Sequence, residues 1–158
     1  MGPTPDIKKH FLLPGAIFAP ATEHLVTTIL GSCVAVCLWD KAHHRGGMNH
    51  FLLPLWNGDG LPTPKYGNIA IDRLLEKLLQ RGANHATLIA KVFGGASMWA
   101  SSGGLLAVGE RNVELVKAQL DELRIPIIGA DLGGRVGRKV IFNTATGEVW
   151  MQRHQEHR

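Results

Sequence analysis

Hydrophobic residues recur along the chain with two different periods, and the longer period predicts two helices. Over residues 66–80 the apolar side chains follow the spacing of an amphipathic helix, and Gly82 supplies a stop. The apolar positions there are Ile71, Leu74, Leu75, Leu78 and Leu79. A second helix is predicted over residues 111–123. Its apolar face carries Val113, Val116, Leu120 and Leu123.

Short apolar runs, rich in β-branched and aromatic residues, predict strands between and around these helices. The runs cover residues 15–19, 25–30, 34–39, 48–53, 87–93, 126–130, 139–143 and 149–153. Polar turns join neighbouring runs, which indicates antiparallel hairpins. Many short strands combined with two amphipathic helices predict an α/β (α+β) fold with mostly antiparallel sheets.

Length and composition favour one globular domain. The 158 residues are enough for a single core, and 45% hydrophobic against 19% charged residues is not a disordered composition. We therefore expect one domain over residues 1–158, with short flexible tails at about 1–8 and 154–158. No apolar run approaches the roughly 20 residues that a membrane span needs. The first residues lack the plan of a signal peptide.

The net charge of +4 permits an acidic partner without requiring one. Basic residues are scattered and are not interleaved with aromatic residues, so we expect no nucleic-acid binding. The two cysteines, Cys33 and Cys37, would lie about 13 Å apart on a strand, too far for a disulfide. A reducing, cytoplasmic location and no membrane insertion fit these features best.

The best candidates for catalytic residues are Cys33 and His50. Cys33 follows the turn residues Gly31 and Ser32, and His50 lies seventeen positions after Cys33. The segments 34–39 and 48–53 predict the two strands of a hairpin with a polar loop between them. A symmetric register would pair Trp39 with His44 and Cys33 with His50. Directly opposed residues share a face, so a thiol and an imidazole would meet as nucleophile and general base.

A metal site is an alternative role for Cys33, Cys37, His43, His44 and His50. Their spacing contains neither Cys-x-x-Cys nor His-Glu-x-x-His and so does not favour it. We expect neither a metal nor another cofactor. Cys37 lies between Val36 and Leu38 and is best interpreted as a core residue. Cys33 differs because it follows a glycine turn, where backbone amides can be free.

The sequence resembles the bacterial chemoreceptor glutamine deamidases, the CheD family. The resemblance rests mainly on two segments: residues 30–40, with Gly31-Ser32-Cys33, and residues 46–54, with Gly46-Gly47-Met48-Asn49-His50. Further segments match in order at residues 90–98, 109–113, 131–134, 138–142 and 146–147. The resemblance thus covers nearly the whole chain.

The resemblance implies a Cys–His–Thr triad of Cys33, His50 and Thr27. An even separation between Thr27 and Cys33 also puts them on one face of a regular strand and puts Thr28 on the other, although Gly31 could interrupt that regularity. Backbone amides near Gly31 and Ser32 are candidates for the oxyanion hole. We expect Cys33 and His50 to rest as an ion pair, because an imidazolium stabilises a thiolate.

The implied activity converts glutamine side chains of a chemoreceptor's cytoplasmic domain to glutamate through a thioester, with hydrolysis of receptor glutamyl methyl esters as a possible second activity. The implied fold is a layered α/β/β sandwich similar to bacterial toxin deamidase domains. A different reading is a regulatory module that binds a CheC-type chemotaxis phosphatase. A Cys33→Ala variant separates the two, because it removes catalysis and leaves binding intact.

Overall fold

The computed structural model describes residues 6–97 and 107–154. The strands are β1 (Lys8–Phe11), β2 (Ile17–Phe18), β3 (His24–Leu30), β4 (Val34–Asp40), β5 (Arg45–Asn49), β6 (Leu88–Gly94), β7 (Ile127–Leu132), β8 (Arg138–Asn143) and β9 (Val149–Arg153). The helices are α1 (Gly67–Gln80) and α2 (Val108–Glu122), and a single 3₁₀ turn covers His85–Thr87. Of the predicted tails, residues 1–5 and 155–158 lie outside the described residues, and Lys8 already belongs to β1.

These strands form two sheets. The four-stranded sheet has the order β1-β3-β8-β9, and the five-stranded sheet has the order β2-β5-β4-β6-β7. Only the pairs β1–β3 and β6–β7 are parallel among the strands described. The predicted α+β class with mostly antiparallel sheets is therefore confirmed.

Two hydrophobic layers hold the molecule together, and β4 contributes to both. On one face of β4, Val34, Val36 and Leu38 pack with the helices. On the other face, Ala35 and Cys37 pack against residues of the four-stranded sheet. The layers are therefore helices, five-stranded sheet and four-stranded sheet, in that order. The likeness to toxin deamidase domains stays a prediction.

Most predicted elements lie within a few residues of the observed ones, but the strand predicted over residues 48–53 was wrong. That strand, β5, ends at Asn49, and the pairing resumes only as an isolated bridge between Val34 and Phe51. The Asn49 side-chain oxygen accepts a hydrogen bond from the Val36 amide at 2.9 Å and so takes part in the ladder. Within the described residues, neither helix is long and apolar enough to cross a membrane.

Candidate active site

The turn Gly31-Ser32-Cys33 carries the chain from one sheet to the other. It begins after β3, in the four-stranded sheet, and leads into β4, in the five-stranded sheet. The carbonyl of Gly31 accepts a hydrogen bond from the Ala96 amide at 3.0 Å, and the carbonyl of Cys33 accepts one from the Gly95 amide at 2.9 Å. These bonds leave Cys33 half-buried at the start of β4.

Gly94 allows this close approach of the chain to Cys33. It lies opposite Val34 in the β4–β6 pairing and has a φ of +112°, in the region that favours glycine. A Cβ atom at this position would collide with the Cys33 carbonyl oxygen. Only glycine therefore fits between β6 and the turn.

The observed hairpin register differs from the predicted one. Asp40 pairs with Arg45, and the same register continues to the bridge between Val34 and Phe51. The predicted pairing of Cys33 with His50 was therefore wrong by two residues, because continuing the register sets Cys33 opposite Leu52. A shift of two preserves the side-chain face, so Cys33 lies diagonal to His50 on the same face.

Asp40 explains the register. Its carboxylate accepts hydrogen bonds from the amides of Ala42 and His43, at 2.9 and 3.1 Å, and so closes the turn directly after β4. The loop is therefore residues 41–44, and His44 completes it with a φ of +55°. The symmetric register had assumed a turn that begins one residue earlier.

His50 is almost fully buried, with 2% of its surface exposed. Its carbonyl accepts a hydrogen bond from the Gly15 amide at 2.8 Å, which anchors the backbone. Its Nδ1 atom lies 2.7 Å from Oγ1 of Thr28, a buried residue of β3 in the opposite sheet. The imidazole is thus held between the two sheets.

The Thr28 hydroxyl also determines which ring nitrogen of His50 carries the proton. It lies 2.9 Å from the carbonyl oxygen of Leu12, which can only accept a hydrogen bond. Since the hydroxyl has one proton, it donates to Leu12 and accepts from Nδ1–H of His50. The free lone pair is then on Nε2, which is buried and has no hydrogen-bond partner among the described residues. This tautomer is the one a general base needs.

The hydroxyl that contacts Nδ1 of His50 is that of Thr28, whereas the sequence had indicated Thr27. Thr27 is only half-buried, and its carbonyl accepts the Leu12 amide at 2.8 Å. The even separation from Cys33 was misleading because β3 and β4 belong to different sheets. Alternation of faces does not continue through the turn between them.

Burial disfavours both charged forms of the pair. It lowers the pKa of His50 to about 4 and raises the pKa of the Cys33 thiol, although the Cys33 backbone amide acts in the opposite direction. Both shifts favour two neutral groups at neutral pH in the free protein. They act against the expected ion pair at rest, because that expectation left out desolvation.

The other residues considered for a metal site lie apart from Cys33 and His50. His43 contacts Asp40, and His44 packs against Trp39, at the far end of the hairpin. Cys37 is buried in the layer between the sheets, and both cysteines are free thiols. Among residues 6–97 and 107–154, no three His, Cys, Asp or Glu side chains come together in a group that could hold a metal ion.

Two residues of the site were missed by the sequence analysis. The expected alternation of side chains along a strand placed Thr28 on the face opposite Cys33, and nothing in its neighbours distinguishes it from Thr27. Asn112 lies in the segment 109–113, which resembles the CheD family, but no role was assigned to it. Its buried side chain contacts both the turn before Cys33 and the segment after His50.

Comparison with known proteins identifies the family of this chain. A family model described as CheD chemotactic sensory transduction matches residues 52–153. A probable chemoreceptor glutamine deamidase of Trichlorobacter lovleyi is 58% identical, and the alignment covers 95% of this chain and 93% of that protein. This chain belongs to the CheD family.

Two further CheD relatives extend the comparison. A probable chemoreceptor glutamine deamidase of Sulfurimonas denitrificans is 43% identical, over 93% of this chain and 95% of its own. Another from Anaeromyxobacter dehalogenans is 44% identical, over 90% and 82%. The family model begins after Cys33 and His50, whereas these relatives align with nearly the entire CheD chain described here.

Proposed function

We propose that this CheD protein is a protein-glutamine deamidase acting on chemoreceptors, with Cys33 as nucleophile, His50 as general base and Thr28 as the residue that orients His50. The observation that carries the proposal is the hydrogen bond from His50 to Thr28, on the face that Cys33 shares at the accessible end of β4. The names of the relatives support the substrate class.

The reaction begins with two neutral groups. His50 Nε2 takes the thiol proton as the Cys33 sulfur attacks the side-chain carbonyl carbon of glutamine, forming a C–S bond and a tetrahedral oxyanion. Backbone amides of the turn, with Ser32 and Cys33 as donors, stabilise that oxyanion. A donor of this kind is typically worth about 3–4 kcal/mol.

Collapse of the oxyanion breaks the C–N bond. The protonated His50 gives its proton to the departing nitrogen, so ammonia leaves and a thioester remains on Cys33. His50 then removes a proton from water, which attacks the thioester and releases glutamate and the free thiol. The Thr28 hydrogen bond keeps the imidazole in the required orientation at each step.

The same thioester would form from a glutamyl methyl ester, with methanol leaving in place of ammonia. Receptor methylesterase activity is therefore part of the proposal, and its level depends on which ester reaches Cys33. Receptor glutamines of this class lie in the cytoplasmic domain, and we assign the protein to the cytoplasm on that basis. We retain binding of a CheC-type phosphatase as the alternative role.

The test is incubation of receptor cytoplasmic fragments with the protein in heavy-oxygen water, followed by mass spectrometry of receptor peptides. We expect glutamine-to-glutamate conversion with one heavy oxygen incorporated, and release of ammonia. Cys33→Ala should lose at least about 10³-fold in rate. Conversion that persists in Cys33→Ala would defeat the mechanism. No conversion by either protein, with a phosphatase complex formed by both, would favour the binding module.

A further inference from the structure

Asn112 links the two segments that carry the reacting side chains. It lies near the start of α2 and is fully buried. Its Nδ2 atom donates one hydrogen bond to the carbonyl of Ser32 and one to the carbonyl of Leu52, both at 3.0 Å. Ser32 precedes Cys33, and Leu52 lies two residues after His50. One amide group therefore joins both sides of the site.

These contacts lie where the regular hairpin ladder ends. Val34 and Phe51 exchange both backbone hydrogen bonds, at 3.1 and 2.9 Å, and form the last pair before the turn. Beyond it, the Leu52 amide donates to the Lys65 carbonyl at 2.8 Å. The two donors of Asn112 thus bind the neighbouring carbonyls in place of a further rung between the strands.

The Ser32 carbonyl matters because it shares a peptide plane with the Cys33 amide. Peptide bonds in the described residues are trans, so the Cys33 N–H points in the direction opposite to the Ser32 carbonyl. Asn112 holds that carbonyl towards α2. The Cys33 N–H therefore points away from α2. It lies within hydrogen-bonding reach of the Cys33 sulfur, and among the described residues it donates to no backbone acceptor of another residue.

We infer that Asn112 is a positioning residue, which fixes the Ser32–Cys33 peptide so that the Cys33 N–H is presented to the oxyanion formed on the Cys33 adduct. The inference rests on the proposed nucleophile. It adds a residue from α2, distant in sequence from the pair. The Gly31 and Cys33 carbonyls are held by backbone donors, whereas the Ser32 carbonyl between them is held by a side chain, so a substitution can remove its donor.

Two probes of Cys33 separate orientation of the peptide from integrity of the fold. An aldehyde analogue of glutamine, with –CHO in place of the carboxamide, adds to the thiol; a C–S bond forms and the carbonyl oxygen takes the thiol proton. Its oxygen occupies the oxyanion position. Iodoacetamide alkylates the sulfur by displacing iodide, without forming an oxyanion. Only the first reaction places an oxygen where the Cys33 N–H would stabilise an oxyanion.

We expect Asn112→Ala and Asn112→Asp to weaken aldehyde binding and to lower kcat for deamidation at least about tenfold. This loss of rate should be smaller than the loss caused by removing a whole oxyanion donor. The rate of iodoacetamide alkylation should fall less than aldehyde affinity does, because burial, the larger influence on the pKa of the Cys33 thiol, is unchanged. Asn112→Asp preserves side-chain size if Asn112→Ala folds poorly. Asn143→Ala truncates a buried asparagine at the far end of β8 and controls for destabilisation alone.

Unchanged aldehyde affinity in both Asn112 variants would overturn the inference, as would a parallel loss of alkylation and aldehyde binding. Failure of the original protein to bind the aldehyde would also overturn it. If the original protein binds the aldehyde but does not deamidate receptor fragments, the proposed substrate is wrong, and the aldehyde comparison still decides the role of Asn112.

Discussion

Cys37 lies in β4 and Cys33 directly precedes this strand on the same face, yet their surroundings differ completely. Cys37 is buried in the layer between the sheets, and burial raises the pKa of its thiol strongly. Cys33 is half-buried where β4 begins, with Thr28 and His50 at the same end of the layer. The comparison teaches that position along the chain, and not residue type or face, separates a packing thiol from one that is accessible for the proposed chemistry.

Among the substitutions that test this comparison, one at Thr28 should have the largest effect on activity. Thr28→Val keeps the shape of the side chain and removes the hydroxyl that holds Nδ1 of His50. We expect kcat on receptor fragments to fall roughly 10- to 100-fold, less than the ~10⁴-fold loss caused by a wrong tautomer in serine proteases.

Two matched variants control this result. Thr28→Ser retains the hydroxyl and should recover most of the rate. Thr27→Val, one position away on the other face of β3, should leave kcat nearly unchanged. A larger loss of kcat in Thr27→Val than in Thr28→Val would return the orienting role to Thr27. It would contradict the site proposed at the Cys33 end of the layer between the sheets.

His50 should make stability depend on pH. Because burial lowers its pKa from 6.5 to about 4, the unfolded chain binds a proton in this range that the folded protein excludes. Stability from this group is fully present above pH 6.5 and is lost as the pH falls towards 4. We expect the Tm to drop by several degrees across this window.

Thermal melts of His50→Gln provide the check, because this variant lacks the titrating group. Its Tm should fall less between pH 7 and 4.5 than that of the original protein. His154→Gln removes an exposed histidine instead and should retain the original slope. Equal slopes for all three proteins would show that His50 is not buried in solution.

The smallest effect is expected at Cys37. Cys37→Ala should lower the free energy of unfolding by about 1 kcal/mol, since it removes a buried sulfur from the layer between the sheets. The kcat per folded molecule should not change. Urea unfolding and a deamidation assay together measure the two quantities. A loss of kcat comparable to that of the Thr28 variant would mean that the two thiols do not have separate roles.

Most of the fold could be predicted from the sequence because periodicity reports burial directly. The helices over residues 66–80 and 111–123 correspond to α1 and α2 within a few residues, and the closing hairpin corresponds to β8 and β9. β1 was missed because residues 8–11 are two lysines, a histidine and a phenylalanine, which show no apolar alternation. This strand forms because its backbone pairs with β3, and the pattern of its side chains does not reveal that pairing.

The site was predicted less completely. Cys33 and His50 could be proposed because a glycine turn and a hairpin are local features, and an error of two in register did not change their shared face. Thr28 and Asn112 could not be found in this way. Each reaches the pair from another layer, and no local pattern encodes a contact between β3 and the segment after β5 or between α2 and the turn.

The passage of the chain from one sheet to the other at Gly31–Cys33 has a practical consequence. His50 belongs to the five-stranded side and Thr28 to the four-stranded side, so sliding of one sheet over the other would lengthen their hydrogen bond before either sheet lost a strand. Turnover should therefore respond to inter-sheet packing more sensitively than circular dichroism does. A mutation at Val140, which pairs with Thr28 and is buried between the sheets, should lower turnover while the secondary structure stays intact.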